Sequence, residues 1–267
     1  MISDGMTFEE HLRFLNQLTA LQLHYLWRWM RLHPDEDFRE ALRNRTDLCR
    51  KTDPAPKHYD VAESDFKRSE WIAIENEIAA IYEDRSIRDS AMKFEGESLS
   101  KTVHLITKFA KLTYGSNAKF AEYQCGSLRY NDPPPDGPSR NRINFHIGNA
   151  IAPKSIFQER SYLVGCFTDM MDQTEKKFGG EILVTRTWLN SLPKWLEYFP
   201  QEWIENLGPE DKDVQWHFGF WGQFVSARGA LNMKYAKILR ETGEFPFWPR
   251  ISHCSFKSMR KHLAGLV

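Results

Sequence analysis

Residues 181–224 read EILVTRTWLNSLPKWLEYFPQEWIENLGPEDKDVQWHFGFWGQF and hold five of the nine tryptophans of the chain, together with Asn190, His217 and Gln223. Large aromatic side chains bury much surface and usually belong to a hydrophobic core. Aromatic residues interspersed with asparagine, histidine and glutamine are also typical of an apolar pocket with a few polar groups. The stretch therefore predicts a core, a small-molecule pocket, or both.

The same stretch predicts strands at both ends and short helices between them. EILVTRTWLN is typical of a strand, and residues 191–207 are typical of one or two short helices interrupted by Pro200. DVQWHFGFWGQF also alternates like a strand, which places on one face His217, Gly219, Trp221 and Gln223. We therefore expect His217 and Gln223 to face the same cavity, where Gly219 leaves room for a ligand or another backbone.

From residue 119 the hydrophobic period changes from helical to alternating. KFAEYQCGSLRYN predicts a strand, DPPPDGPSR a loop, and RINFHIGN a second strand in which His146 points away from the apolar face. A helix is expected over roughly 159–178. Because binding sites are commonly built where strands end, His146 and Asn149 are candidate site residues.

The N-terminal part predicts helices. Apolar residues recur at helical spacing over 7–33 and 64–89, and a short helix fits residues 36–50. A third long helix is expected to start after a cap at Ser98 or Ser100. The two tryptophans of the first helix point to different faces, so this helix is also a candidate homodimer contact.

Charged side chains crowd the segment YEDRSIRDSAMKFEGES between these helices. Such a run usually forms a solvated face. Alternatively, the loop around Gly96 presents the carboxylate of Glu97 next to Arg85 or Arg88. On that interpretation Glu97 is a candidate proton carrier, and the two arginines are candidate substrate ligands.

Composition argues against several function classes. The 267 residues carry 36 Lys and Arg against 36 Asp and Glu, so no net charge draws the chain to nucleic acid or to an anionic membrane. The sequence has no basic leader followed by an apolar stretch and no run of about 18 apolar residues, which predicts a cytoplasmic protein without a membrane partner. Four dispersed cysteines without a CxxC pair predict reduced, mostly buried thiols.

The motifs of common nucleotide-binding enzymes, serine hydrolases and zinc proteases are missing from the sequence. This favours acid–base chemistry without a cofactor, for which the candidate proton carriers are Glu97, His146 and His217. The candidate substrate-binding residues near them are Asn149, Trp188, Asn190, Trp221 and Gln223, with Trp216 as a further wall. Alternatively, a metal could be ligated by His146, His217 and His253.

Three blocks within residues 143–256 resemble a family of uncharacterised bacterial and fungal proteins. The blocks are WLN at 188–190, FP at 199–200 and WGQF at 221–224. The resemblance implies a recurring pattern but no activity. In length, aromatic content and the presence of Glu97 the chain is also similar to microbial Pictet–Spengler enzymes, which form β-carbolines without a metal and use a glutamate; no motif is shared with them.

Together these patterns predict an α+β protein, with a mainly helical part over 1–118 packed on a mixed α/β part over 119–267 and a site where the two meet. The predicted function is a small-molecule enzyme of specialised metabolism. It would use cofactor-free acid–base catalysis on an aromatic or apolar substrate, for example imine formation and cyclisation. The alternatives are a non-catalytic small-molecule binding or homo-oligomeric interaction protein, and a His-ligated metal enzyme.

Overall fold

The computed structural model describes residues 6–51, 68–115, 123–213 and 218–266. These residues form two compact units. The helical unit comprises described residues 6–51, 68–115, 213 and 218–246, and the sheet unit comprises residues 123–212 and 247–266. The predicted α+β class is confirmed, with helices mostly N-terminal and strands C-terminal. The division differs from a single cut near residue 118, because residues 218–246 pack with the N-terminal helices.

The first helix, α1 (Phe8–Leu32), begins where the sequence predicts. The hydroxyl of Thr7 accepts a hydrogen bond from the backbone N–H of Glu10, whose carboxylate accepts one from the N–H of Thr7. Both tryptophans of α1 have partners inside the helical unit: Trp27 donates to a backbone carbonyl and Trp29 to a carboxylate. Both indole N–H groups are therefore hydrogen-bonded within the helical unit and do not need a partner chain for this.

Five further helices follow in the helical unit. They are α2 (Phe38–Arg45), α3 (Leu48–Lys51), α4 (Ser69–Glu83), α5 (Arg85–Arg88) and α6 (Ala91–Thr113). The helices α2 and α3 occupy the region of the predicted short helix. On α4 the predicted apolar stripe is buried at Trp71, Ile74 and Ile78. The first residues of the helix predicted over 64–89, where we expect Ser64 or Asp65 to be its cap, lie outside the described residues.

The start of α6 differs from the prediction. Ser90 caps the helix by accepting from the N–H of Lys93, and Gly96, Glu97 and Ser98 lie inside the helix. The prediction of a loop around Gly96 is therefore wrong. Glycine costs a helix about 1 kcal/mol relative to alanine, and burial of apolar α6 side chains such as Phe94 offsets that cost.

The sheet unit contains a four-stranded sheet in the order β1-β2-β3-β4. Its strands are β1 (Leu128–Tyr130), β2 (Arg142–Ile147), β3 (Ile182–Thr187) and β4 (Arg250–Ser255). Strands β2 and β3 are parallel, and the other two neighbouring pairs are antiparallel. Parallel neighbours need a crossover connection, which contains the helix α7 (Arg160–Phe178) near its predicted position. Of the strand predicted from residue 119, the described part forms only the short β1.

The core of the sheet unit follows the predicted alternation of β2. Ile143 and Phe145 are fully buried, whereas Asn144 is exposed and His146 is half-buried. Three short α-helices complete the unit, together with a 3₁₀ helix over Trp188–Ser191, where the sequence predicts the end of a strand. The α-helices are α8 (Pro193–Leu196), α9 (Gln201–Glu205) and α11 (Phe256–Leu263). Helices α7, α8, α9 and α11 bring large side chains to the same core, among them Phe167, Trp195, Trp203 and Met259.

The segment predicted as the strand DVQWHFGFWGQF is instead a 3₁₀ helix over Phe218–Phe224, and residues 214–217 lie outside the described part. The buried residues of this helix are Phe220, Trp221, Gln223 and Phe224. Their spacing of one, three and four residues fits a helix, whereas a strand would bury alternate residues. The expectation that His217 and Gln223 share a strand face therefore loses its basis. The helix α10 (Met233–Thr242) follows.

All four cysteines are free and buried, as the sequence predicts. Burial raises the pKa of the Cys125 and Cys254 thiols to about 12, with smaller contributions from nearby acidic groups. Among the helices that the structure describes, none is long and apolar enough to cross a membrane.

Candidate functional site

The residues predicted to form a site fall in both units. The sheet unit holds His146, Asn149, Trp188 and Asn190; the helical unit holds Arg85, Arg88, Glu97, Trp221 and Gln223. His217 lies outside the described residues. The predicted site residues are therefore divided between the two units.

The side chain of Asn190 forms hydrogen bonds with three other residues of the sheet unit. Its amide donates to the carbonyls of Thr185, at 3.1 Å, and Arg250, at 2.8 Å, and its oxygen accepts from the indole N–H of Trp195 at 3.0 Å. The side chain is completely buried. Because both amide hydrogens already have partners, this arrangement explains Asn190 as a structural residue.

The aromatic residues of the predicted pocket pack against other aromatic rings. Trp221 has its ring centroid 4.9 Å from that of Phe245, and both rings are buried. Gln223 is 1% exposed and donates to the carbonyl of Phe220 at 3.0 Å. In the sheet unit, Trp188 is half-buried and stacks on Phe247. For Trp221 and Gln223, the structure agrees with the core interpretation of the sequence.

His146 and Asn149 lie at and after the end of β2. The Nε2 atom of His146 is 3.1 Å from the amide nitrogen of Asn131. The amide of Asn149 donates to the carbonyl of Lys154, and its oxygen accepts from the N–H of Ile151, which makes Asn149 a turn residue. The position of His146 off the apolar face is confirmed.

The predicted carboxylate and arginines of the helical unit are exposed or engaged elsewhere. Glu97 lies on the exposed side of α6, and Arg85 is exposed on α5. Arg88 is half-buried; its guanidinium lies 5.9 Å from the ring centroid of Tyr82, and its backbone carbonyl accepts from Trp27. The described contacts do not join Glu97 to either arginine.

A neighbouring carboxylate, Glu95, belongs to a charged cluster of the helical unit. The guanidinium of Arg240 donates two hydrogen bonds to Glu95, at 2.7 and 2.9 Å. The Nδ1 atom of His24 lies 3.6 Å from the same carboxylate. Helices α1, α6 and α10 each contribute one residue, and Arg240 stands in the last turn of α10, where a cation is favoured by the helix dipole.

The partners of Glu95 determine its charge state. Burial alone would raise the pKa of the Glu95 carboxyl, but the contacts with His24 and Arg240 outweigh it and hold that pKa below its ordinary value. The side chain of Glu95 is 19% exposed and that of His24 is 14% exposed. Glu95 is therefore an ionised group that lies next to the imidazole.

The second ring nitrogen of His24 is the unsatisfied polar atom of the cluster. Its Nε2 atom is buried, and it has no hydrogen-bond partner in the described chain. If the neutral ring carries its proton on Nδ1, facing the carboxylate, Nε2 is a proton acceptor. The ring centroid of Trp27 lies 6.2 Å from that of His24 and gives the imidazole an aromatic neighbour.

The sequence does not reveal this cluster, because its members are far apart in the chain. Arg240 and Glu95 are separated by 145 residues. The one available signal was the charged segment after α4, which contains Glu95 beside Glu97. Once α6 is recognised as continuous, only the burial of the two glutamates distinguishes them, and that depends on which helices pack nearby.

An open groove of about 470 Å³ lies in the sheet unit. It is lined by Pro200, Gln201, Glu202, Ser258, Lys261, His262, Gly265 and Leu266. The carboxylate of Glu202 accepts two hydrogen bonds from Ser255. Burial would raise the pKa of Glu202, but its contacts with Ser258 and Ser255 lower it below the ordinary value. The carboxylate of Glu202 is therefore occupied in holding α9 against Ser255, which ends β4 and caps α11.

Within the described ranges, histidine, cysteine, aspartate and glutamate side chains form no group of three that could hold a metal ion. Comparison of the sequence with models of protein families gives no match, and comparisons with curated proteins and with solved structures give none either. The resemblance carried by the WLN, FP and WGQF blocks stays a prediction. Function has to be inferred from the chemistry of the residues.

Proposed function

We propose that the chain is a small-molecule enzyme of specialised metabolism that uses acid–base catalysis, with the imidazole of His24 as the proton carrier. The observation that carries this proposal is the different surroundings of the two ring nitrogens. Nδ1 faces the carboxylate of Glu95, whereas Nε2 is buried without a partner in the described part of the chain. A histidine held in this way can accept a proton at Nε2 and return it later.

The other two residues position the histidine. The carboxylate of Glu95 favours the tautomer with the proton on Nδ1 and would stabilise the imidazolium formed when Nε2 takes a proton. Arg240 keeps that carboxylate ionised and fixed by two parallel hydrogen bonds. Well-packed apolar side chains often stabilise a fold as well as a buried ion pair does, so stability alone does not require this trio.

The aromatic neighbour supports an aromatic or apolar substrate. Trp27 lies beside the imidazole, and its indole N–H is already bonded to the carbonyl of Arg88, which fixes the ring plane. Imine formation followed by ring closure is one reaction of this class. In this reaction an amine nitrogen attacks a carbonyl carbon and the carbonyl oxygen leaves as water. An aromatic carbon then attacks the iminium carbon to close the ring and loses its proton, and a histidine can assist the proton transfers of both steps.

The test starts from binding and proceeds to turnover. Tryptophan fluorescence titrations of the full chain against aromatic amines and aldehydes would identify a bound compound, and mass spectrometry after incubation would show whether it is converted. For a converted compound, His24→Gln should lower kcat by about 10²- to 10⁴-fold and leave KM nearly unchanged. The matched control is His104→Gln, an exposed histidine of α6, which should retain full activity.

Two outcomes would contradict the proposal. Equal turnover by wild type and the His24→Gln variant would assign the proton transfer to another residue. Saturable binding without conversion by the wild-type chain would indicate a non-catalytic binding protein. Circular dichroism of both variants would show that any loss of turnover does not come from unfolding.

A further inference from the structure

A further contact between α1 and α10 lies next to the proposed catalytic cluster. The guanidinium of Arg28 donates a hydrogen bond to the backbone carbonyl of Thr242 at 2.8 Å. Thr242 is the last residue of α10, and Arg240 precedes it by two positions in the same turn. Arg28 follows His24 by four residues, so both side chains lie on the same face of α1. The two helices are therefore joined directly by Arg28 and, one turn of α1 away, through the carboxylate of Glu95.

The glycine that ends α10 makes room for this contact. Gly243 has a φ of 77° and stops the helix in the left-handed conformation. A Cβ atom at this position would lie 2.9 Å from the Cζ atom of Arg28 and closer still to its Cδ and Nε atoms. Carbon atoms in contact are about 3.5–4.0 Å apart. A side chain at position 243 would therefore displace the guanidinium of Arg28 from the end of α10.

The carbonyl of Thr242 needs a partner because it stands at a helix end. The last four carbonyls of an α-helix have no partner within the helix. An arginine can bind such a carbonyl, and its charge also suits the negative end of the helix dipole. Helix ends otherwise fray. The hydrogen bond from Arg28 therefore fixes the turn of α10 that carries Arg240.

We propose that Arg28 is a positioning residue of the His24 site, because it fixes the last turn of α10 and thereby holds Arg240 on the carboxylate of Glu95. This inference rests on the proposed function, in which His24 is the proton carrier.

The charge state of Glu95 reports whether Arg240 is in place. Burial would raise the pKa of the Glu95 carboxyl, and the contacts with His24 and Arg240 lower it. An arginine on a frayed turn would spend less time on the carboxylate and would lower that pKa less. Loss of the Arg28 contact should therefore raise the pKa of Glu95, although the guanidinium of Arg28 donates to a different residue.

The test measures the pKa of Glu95 by carbon NMR of the full chain with ¹³C-labelled glutamate, with Glu95→Gln used to assign the signal. Arg28→Met keeps the aliphatic stem and removes the hydrogen-bond donors. In this variant the pKa of Glu95 should rise from its lowered value toward the ordinary value of about 4.3. Arg28→Lys, which can still donate to the carbonyl of Thr242, should keep the pKa close to that of the wild type.

A second background separates positioning from a direct effect of the Arg28 charge. In Arg240→Met the pKa of Glu95 should already be raised, and adding Arg28→Met should raise it no further. The matched control is Arg13→Met, an exposed arginine of the same helix, which should leave the pKa of Glu95 unchanged. Urea denaturation of each variant would show that the chain is folded where the pKa is measured.

The outcomes separate this inference from the proposed function. An unchanged pKa of Glu95 in Arg28→Met would overturn the positioning role of Arg28 and leave the role of His24 untouched. A further rise in the variant that lacks both arginines, or an equal rise in Arg13→Met, would show a general effect of charge and would overturn it as well. The expected pKa changes, in a chain whose turnover does not depend on His24, would confirm that Arg28 positions Glu95 and contradict only the proposed function.

Discussion

Replacing Asn190 by aspartate tests the structural role of the residue. The change keeps the shape of the side chain and removes both amide hydrogens, so that the carbonyls of Thr185 and Arg250 lose their donors. Each buried carbonyl without a donor costs about 1–3 kcal/mol. The two together predict a loss of about 2–6 kcal/mol in the free energy of unfolding, measured by urea denaturation near neutral pH.

The pH dependence of this variant follows from the same geometry. An aspartate carboxylate at position 190 would face two carbonyl oxygens in a buried place, so folding would raise its pKa. The penalty should therefore shrink as the pH falls through that raised pKa, because the protonated acid can donate one hydrogen bond. The control Asn144→Asp, at an exposed position of β2, should change stability by less than about 0.5 kcal/mol. An Asn190→Asp variant as stable as this control would show that the amide of Asn190 does not stabilise the two carbonyls.

Glu95→Gln should flatten the acid side of the stability curve. The folded pKa of Glu95 is lowered, so its contribution is present above the unfolded pKa of about 4.3 and is lost as pH falls through the folded pKa; urea midpoints across acid pH would measure this. Cys125 and Cys254, with thiol pKa values raised to about 12 by burial, should react with a thiol reagent far more slowly in the native protein than after unfolding. Gly243→Ala should lower the unfolding temperature, because a φ of 77° disfavours a side chain and the added methyl group would meet an arginine of α1. Gly96→Ala, in open space on α6, should leave that temperature unchanged or raise it.

The parts of the fold that could be predicted from sequence are those specified by nearby residues. The capping box of Thr7 and Glu10 fixes the start of α1, and both groups lie within one turn of the helix. Alternation in β2 places Phe145 inward and His146 outward through backbone geometry alone. Such signals depend on few long-range contacts.

The parts that sequence analysis missed depend on tertiary contacts. The aromatic block at residues 218–224 alternates like a strand but folds as a 3₁₀ helix, where Trp221 packs on Tyr25 and Phe245. Aromatic residues favour strands only when a neighbouring strand is available. Likewise, Glu95 and Glu97 look equivalent in the sequence, and only the packing of α1 and α10 on α6 makes Glu95 the buried one.

The most direct test of the proposed catalytic site is nitrogen NMR of the chain with ¹⁵N-labelled histidine at alkaline pH, with His24→Gln used to assign the signal. We expect that neutral His24 carries its proton on Nδ1, facing Glu95, and that Nε2 shows the chemical shift of an unprotonated nitrogen. In Glu95→Gln this preference should weaken, because the carboxylate that favours it is gone. A proton on Nε2 in the wild-type protein would contradict the proposed role of His24, since that nitrogen could then not accept a proton from a substrate.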